Sequence, residues 1–237
     1  MTPSRLTVGY VPGVTPAKWA RTWAERRPEA PLRLYSVAAA DAVDAVRDGT
    51  VDVALLRPPG DVSGVALIGL YEETTVVVVP ADHLLGAADE VAVADLVDEP
   101  ILLPLDDVVA WPSAPGVPVE HRPESTQAAT ELVAAGMGVL IVPQSLARLY
   151  HRRDLVYRPI SEAPGCPVAL AIPEGEQSEL VEEFIGVVRG RKPSSSRGRA
   201  EPAPKRTARE KTLAKQAARA AAGKVARAPG PTKRGRR

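Results

Sequence analysis

The chain has 237 residues, 45% of them hydrophobic but only 4% aromatic, so it can bury a sizeable core built from Val, Leu, Ile and Ala. Its apolar runs fall far short of the roughly 20 residues of a membrane span, and "MTPSRLTVGYV" carries neither the apolar segment nor the cleavage site of a secretory signal. The formal charge of +1 hides a split: residues 189–237 hold 17 of the 30 basic residues and 2 of the 29 acidic ones. An acidic body with a basic tail points to a nucleic-acid-binding or acidic-surface-binding arm.

In chain order, "LTVGYV" reads as a strand. A helix from about Pro16 to Arg27 follows, with Thr15 as N-cap and Pro16 at the first helical position. Trp19 and Trp23, four residues apart, share its apolar face. "LRLYSV" is a second strand, and "AADAVDAVRDG" is a helix ended by Gly49. "VDVALL" is a continuous apolar run, as in a buried parallel strand. Strands alternating with helices predict an α/β sheet with right-handed crossovers.

"VALIGLYEETTVVVVP" divides into two strands at Glu72-Glu73. A loop with a short helix leads to a strand at "ILLP"; "DDVVAWPSAPGVP" is a loop and "VEHR" a candidate strand. Ser125 or Thr126 caps a helix to about Ala135. "GVLIVP" (strand), "QSLARLY" (helix), "LVYRPI" and "PVALAIP" (strands) and the amphipathic helix "SELVEEFIGVVRG" complete the body.

Gly136-Met137-Gly138 lies after a helix and before a strand, the reverse of a dinucleotide-binding loop, and position 141 is Ile. Gly136 is read instead as the left-handed end of a helix, and Gly138 as the residue that lets the next strand pack closely.

The segment "AAGMGVLIVP" resembles a signature of the effector-binding domain of LysR-type transcriptional regulators. "LTVGYVPG", "AVDAVRDGTVDVALL", "LYEETTVVVVPADHLLG", "VADLVDEPILLP" and "FIGVVRG" resemble further segments of that domain, in the same order, from about Leu6 to Arg189. The resemblance implies a two-lobed type 2 periplasmic-binding-protein-like α/β fold over residues 1–190. Lobe one would be about 5–74 and 167–190, and lobe two about 75–166. Crossovers would lie near Glu73–Val77 and Cys166–Ala169, with a small-molecule effector in the cleft. The family's winged helix-turn-helix has no counterpart before the first strand, so the resemblance implies a sensing domain without that DNA reader. It also implies a homodimer.

On that frame, Thr15 opens the first helix towards the cleft, where free N–H groups can hold a carboxylate. Ser125, Thr126 and Gln127 open the lobe-two helix opposite, and any ligand is expected between them and Thr15. Ala39 and Ala40 stand where the family often has small polar residues, so this wall would act by shape. Arg57, at the carboxyl end of the third strand, could clamp a carboxylate. Otherwise it is a solvated arginine whose replacement by alanine barely changes folding. Pro104 and Leu105 follow a lobe-two strand and could touch ligand.

No metal is expected, because His83, His121 and His151 lack ligand spacing. No cofactor or enzyme activity is expected either: there is no nucleophile–base pair or phosphate loop. The Thr-Arg-Phe motif of prephenate dehydratase, which shares the fold class, is absent; the sole Phe is Phe184. One cysteine, Cys166, fits a reducing cytoplasm.

Residues 191–237 contain one leucine and no aromatic residue, too little apolar surface to fold alone, and are read as a disordered basic tail. Lys205, Arg206, Arg209, Lys211 and Lys215 are candidate contacts to DNA or RNA phosphates. So are Arg219, Lys224, Arg227, Lys233 and Arg234. Two alternatives remain open: a solute-binding protein of the same fold, and a tail-driven nucleic-acid binder with a vestigial ligand domain.

Overall fold

The computed structural model describes residues 5–191, and these form two lobes, each around its own sheet. The first contains β1 (Leu6–Tyr10), α1 (Ala17–Arg26), β2 (Leu32–Ser36), α2 (Ala42–Arg47), β3 (Val53–Leu56) and β4 (Val65–Glu73). The second runs through β5 (Thr75–Pro80), β6 (Val91–Ala92), β7 (Pro100–Leu102), β8 (Val117–Pro118), α3 (Thr126–Ala134), β9 (Val139–Pro143), α4 (Gln144–Leu149) and β10 (Leu155–Ser161). β11 (Cys166–Pro173) and α5 (Glu179–Val188) return to the first. The tail beyond Arg191, with every basic residue named as a candidate nucleic-acid contact, lies outside the described residues. Among the described residues no helix is long and apolar enough to cross a membrane.

The first sheet has strand order β2-β1-β3-β11-β4, and the second β6-β10-β5-β9-β7-β8. Both sheets are mixed, with parallel and antiparallel pairs. β11 runs antiparallel to both β3 and β4, and β5 is antiparallel to both β9 and β10. The cause is that the chain leaves the first lobe after β4 and re-enters through β11, so the returning strand comes from the opposite end.

The valine run of β5 shows why this sequence is a central strand. Val76 and Val78 pack into one apolar cluster, and Val77 and Val79 into another on the opposite face. With both faces covered, alternation disappears and a continuous β-branched run results. In the first lobe α1 packs on α5, where the rings of Trp23 and Phe184 meet edge to face at 5.8 Å. Trp23 is buried and its Nε1 donates to the Ala30 carbonyl at 2.7 Å, while Trp19 is half-buried against the same core.

Local signals predict several ends correctly. Ser125 is the N-cap of α3, its Oγ accepting from Ala128 N. Gly136 follows with φ 75°, and Gly138 has φ 151° where β9 passes β7. Others differ. The strand expected at "VEHR" lies two residues earlier, at Val117–Pro118, where the backbone pairs with Pro100 and Ile101. Thr15 is not the cap of α1. That position belongs to Pro16, whose carbonyl accepts from both Trp19 N and Ala20 N, so the first turn closes one residue later.

Candidate functional site

β3 ends at Leu56 because Pro58 and Pro59 offer no N–H to continue the ladder. That stop leaves Arg57 at the carboxyl end of the strand, facing the second lobe. β7 ends at Leu102, and the loop after it carries Asp106 and Asp107 towards the first lobe. Between them lies a cleft of about 580 Å³, a volume suited to a small organic molecule. Pro12, residues 38–40 and 57–60 line one side; residues 105–110, Glu124, Leu146 and Tyr150 line the other.

Arg57 is only 7% exposed. Its Nε and one terminal nitrogen reach Glu73 Oε2 at 2.8 Å; the other terminal nitrogen donates to the Pro12 carbonyl at 3.0 Å. The nitrogen that touches Glu73 also donates to Ser145 Oγ on α4 at 2.7 Å. The guanidinium therefore ties β3, the end of β4 and the loop after β1 to a helix of the other lobe. It is not a solvated arginine, and its charge is already met by a carboxylate of the chain. Beside it the two inter-lobe connections touch: Thr75 Oγ1 donates to the Pro164 carbonyl at 2.5 Å and lies 3.4 Å from Cys166 Sγ.

On the other side, Asp106 Oδ1 accepts from Thr126 N at 2.6 Å and from Thr126 Oγ1 at 2.9 Å. With Ser125 Oγ on Ala128 N, two of the N–H groups in the first turn of α3 already have side-chain acceptors. Asp107 folds back on its own loop, Oδ1 accepting from Val109 N at 2.9 Å. Desolvation in the cleft pushes the Asp107 carboxyl up despite those backbone hydrogen bonds. The Tyr150 hydroxyl is also raised, by desolvation and then by the negative charge of Asp106.

Of the residues singled out in the sequence, Ala39, Ala40, Arg57 and Leu105 line this cleft. Pro104 is buried immediately before its Leu105 wall. Thr126 is buried and turned onto Asp106, Ser125 is half-buried in its capping role, and Gln127 is exposed and does not line the cleft. Thr15 lines a second cavity of about 600 Å³ with Ser36, Ser145 and Arg148. Thr15 and the α3 N-terminus thus do not face each other across one cavity, although both cavities share Pro12 and Tyr150. Asp106, Asp107, Glu124 and Tyr150 escaped sequence reasoning. The usable signal was "LDD", acidic residues directly after a strand's carboxyl end.

The model of the LysR substrate binding domain family matches residues 3–193. The Hca operon transcriptional activator HcaR of Escherichia coli (strain K12) is 28% identical over 202 residues, 79% of this chain and 68% of that protein. A probable hydrogen peroxide-inducible genes activator of Mycobacterium avium is 33% identical over 153 residues, 59% of this chain and 49% of the relative. The HTH-type transcriptional regulator AlsR of Bacillus subtilis (strain 168) is 24% identical over 198 residues, 77% and 65% of the two. The chain thus spans about half to two thirds of the length of these relatives. Among solved structures, the oxidised form of OxyR superposes with TM-score 0.68 at 20% identity, covering 80% of this chain and 96% of that one. The BenM effector binding domain with its effector benzoate gives 0.66 at 21%, covering 80% and 92%. At such identities these two likenesses establish the fold.

Proposed function

Because the chain belongs to the LysR substrate binding domain family, we propose that it is a non-enzymatic sensor whose inter-lobe cleft binds a small-molecule effector in the service of transcription regulation. The observation that carries this reading is the cleft itself: about 580 Å³, walled by both lobes, at the carboxyl end of β3. A ligand there touches both lobes at once, so binding changes the relation between them, which is how hinge-joined lobes signal. A homodimer working in the cytoplasm belongs to the same reading.

The test is a thermal-shift screen of small amines, carboxylates and aromatics. A ligand present at 100 times its Kd should stabilise the protein by about 2.7 kcal/mol. Replacing Ala39, in the cleft wall, by Leu should abolish that shift while leaving the ligand-free melt nearly unchanged. A shift that survives Ala39→Leu would place the effector elsewhere.

A peroxide-sensing reading, suggested by the name of the Mycobacterium avium relative, is less well supported. Cys166 is buried, and desolvation pushes its thiol up, whereas a reactive cysteine needs thiolate character and access.

A second function is proposed for the tail, on the ground that 16 basic residues fall within residues 191–237. It gives sequence-independent affinity for nucleic acid through phosphate contacts and counterion release. If six to ten phosphates are engaged, log K should fall with log salt at a slope of roughly −5 to −9. Gel shifts of the full chain and of a chain stopped at Arg191 decide this; equal binding by both would remove the tail from the reading.

A further inference from the structure

Two features of the cleft could hold an anionic effector, and the chain's own carboxylates use both. Each of the three guanidinium nitrogens of Arg57 is engaged, and its charge is met by Glu73. The N-terminus of α3, the other natural carboxylate cradle, has Asp106 on Thr126 N and Oγ1. A carboxylate placed on Arg57 or on Thr126 would have to displace one of these internal partners.

The remaining charges point the other way. Asp107 and Glu124 also line the cleft, and neither forms an ion pair among the described residues. A further cation, Arg122, lowers the Asp107 carboxyl through its charge, but its nitrogens donate to the carbonyls of Leu103 and Pro104. The lining thus sets three carboxylates against one guanidinium that is already neutralised. Desolvation is the largest influence that raises the Asp107 carboxyl, and a cation entering beside it would offset that effect. Tyr150 adds an aromatic ring, a group to which cations are attracted, and the rest of the wall is alanine, proline, glycine, valine and leucine.

We infer that the effector of this cleft is an organic ammonium cation, an amine on a compact apolar body, rather than a carboxylate. Its ammonium group sits between Asp106 and Asp107, and its apolar body lies against Ala39, Pro58 and Leu146. The inference rests on reading the cleft as the effector site.

The test is calorimetric titration of the full chain with pairs of equal shape and opposite charge: benzylamine against benzoate, and phenethylamine against phenylacetate. The amines should bind at least tenfold tighter than their carboxylate partners. Asp107→Asn should weaken amine binding about tenfold or more. Asp106→Asn keeps an oxygen to accept from Thr126 N, so it should preserve the melting temperature while weakening amine binding similarly. Should either variant fail to fold, the other and the wild-type charge preference still decide. Carboxylates binding as tightly as amines would overturn the inference and leave the effector reading standing. Amine binding that neither substitution changes would overturn it also, as attraction to the acidic body at large. Binding of neither series at millimolar concentration would overturn both readings.

Discussion

Replacing Arg57 by alanine is expected to lower the unfolding free energy by about 3–5 kcal/mol, the usual cost of breaking a buried ion pair from one side. The sequence alone suggested almost no effect. The difference lies in burial: the Arg57 side chain is 4% exposed and that of Glu73 is 9%. Its loss strands the Glu73 carboxylate in a poorly solvated place and leaves the Pro12 carbonyl and Ser145 Oγ without their donor. For a chain of this size the melting temperature should fall on the order of 10 °C. Glu73→Gln on top of Arg57→Ala should recover part of the loss, because the unmatched charge is then gone. Urea unfolding of the two single variants and the double variant measures this. A change under about 1 kcal/mol in Arg57→Ala would show that the pair behaves as an exposed one and contributes little to stability.

The second large effect is expected at Gly138. A Cβ there would stand 2.6 Å from the Pro100 carbonyl oxygen, a backbone atom of the neighbouring strand that cannot swing aside. Its φ of 151° adds strain for any side chain. Strain and overpacking together should cost about 3 kcal/mol in Gly138→Ala. Two residues earlier, Gly136 also has positive φ, but a Cβ would meet nothing within 4 Å. Gly136→Ala should therefore cost only about 1–2 kcal/mol, the left-handed penalty alone. Equal urea midpoints for the two variants would contradict the close-approach account of Gly138. Because β9 pairs with β7 at this point, the larger loss should spread to the 105–107 loop and its two aspartates.

By itself the sequence determined what depends on a few neighbouring residues. Ser125 before an alanine-rich helix, Gly136 after it and the valine run of β5 each carry a local signature, and the structure has those elements. The ordered segments from Leu6 to Arg189 also carried the family and its two-lobed fold. Tertiary structure alone decided strand directions and side-chain partners. β11 lies antiparallel between β3 and β4 because the chain re-enters the first lobe, a fact without local signature. Arg57 meets Glu73 across 16 residues and Ser145 across 88, while Asp106 reaches Thr126 across 20. Read alone, Arg57 and the start of α3 looked like open anion sites. A charge or an N–H group is free or satisfied only according to what folding brings within about 3 Å of it. Here folding brought carboxylates from the chain itself, so spacing identified the cleft while packing set its charge.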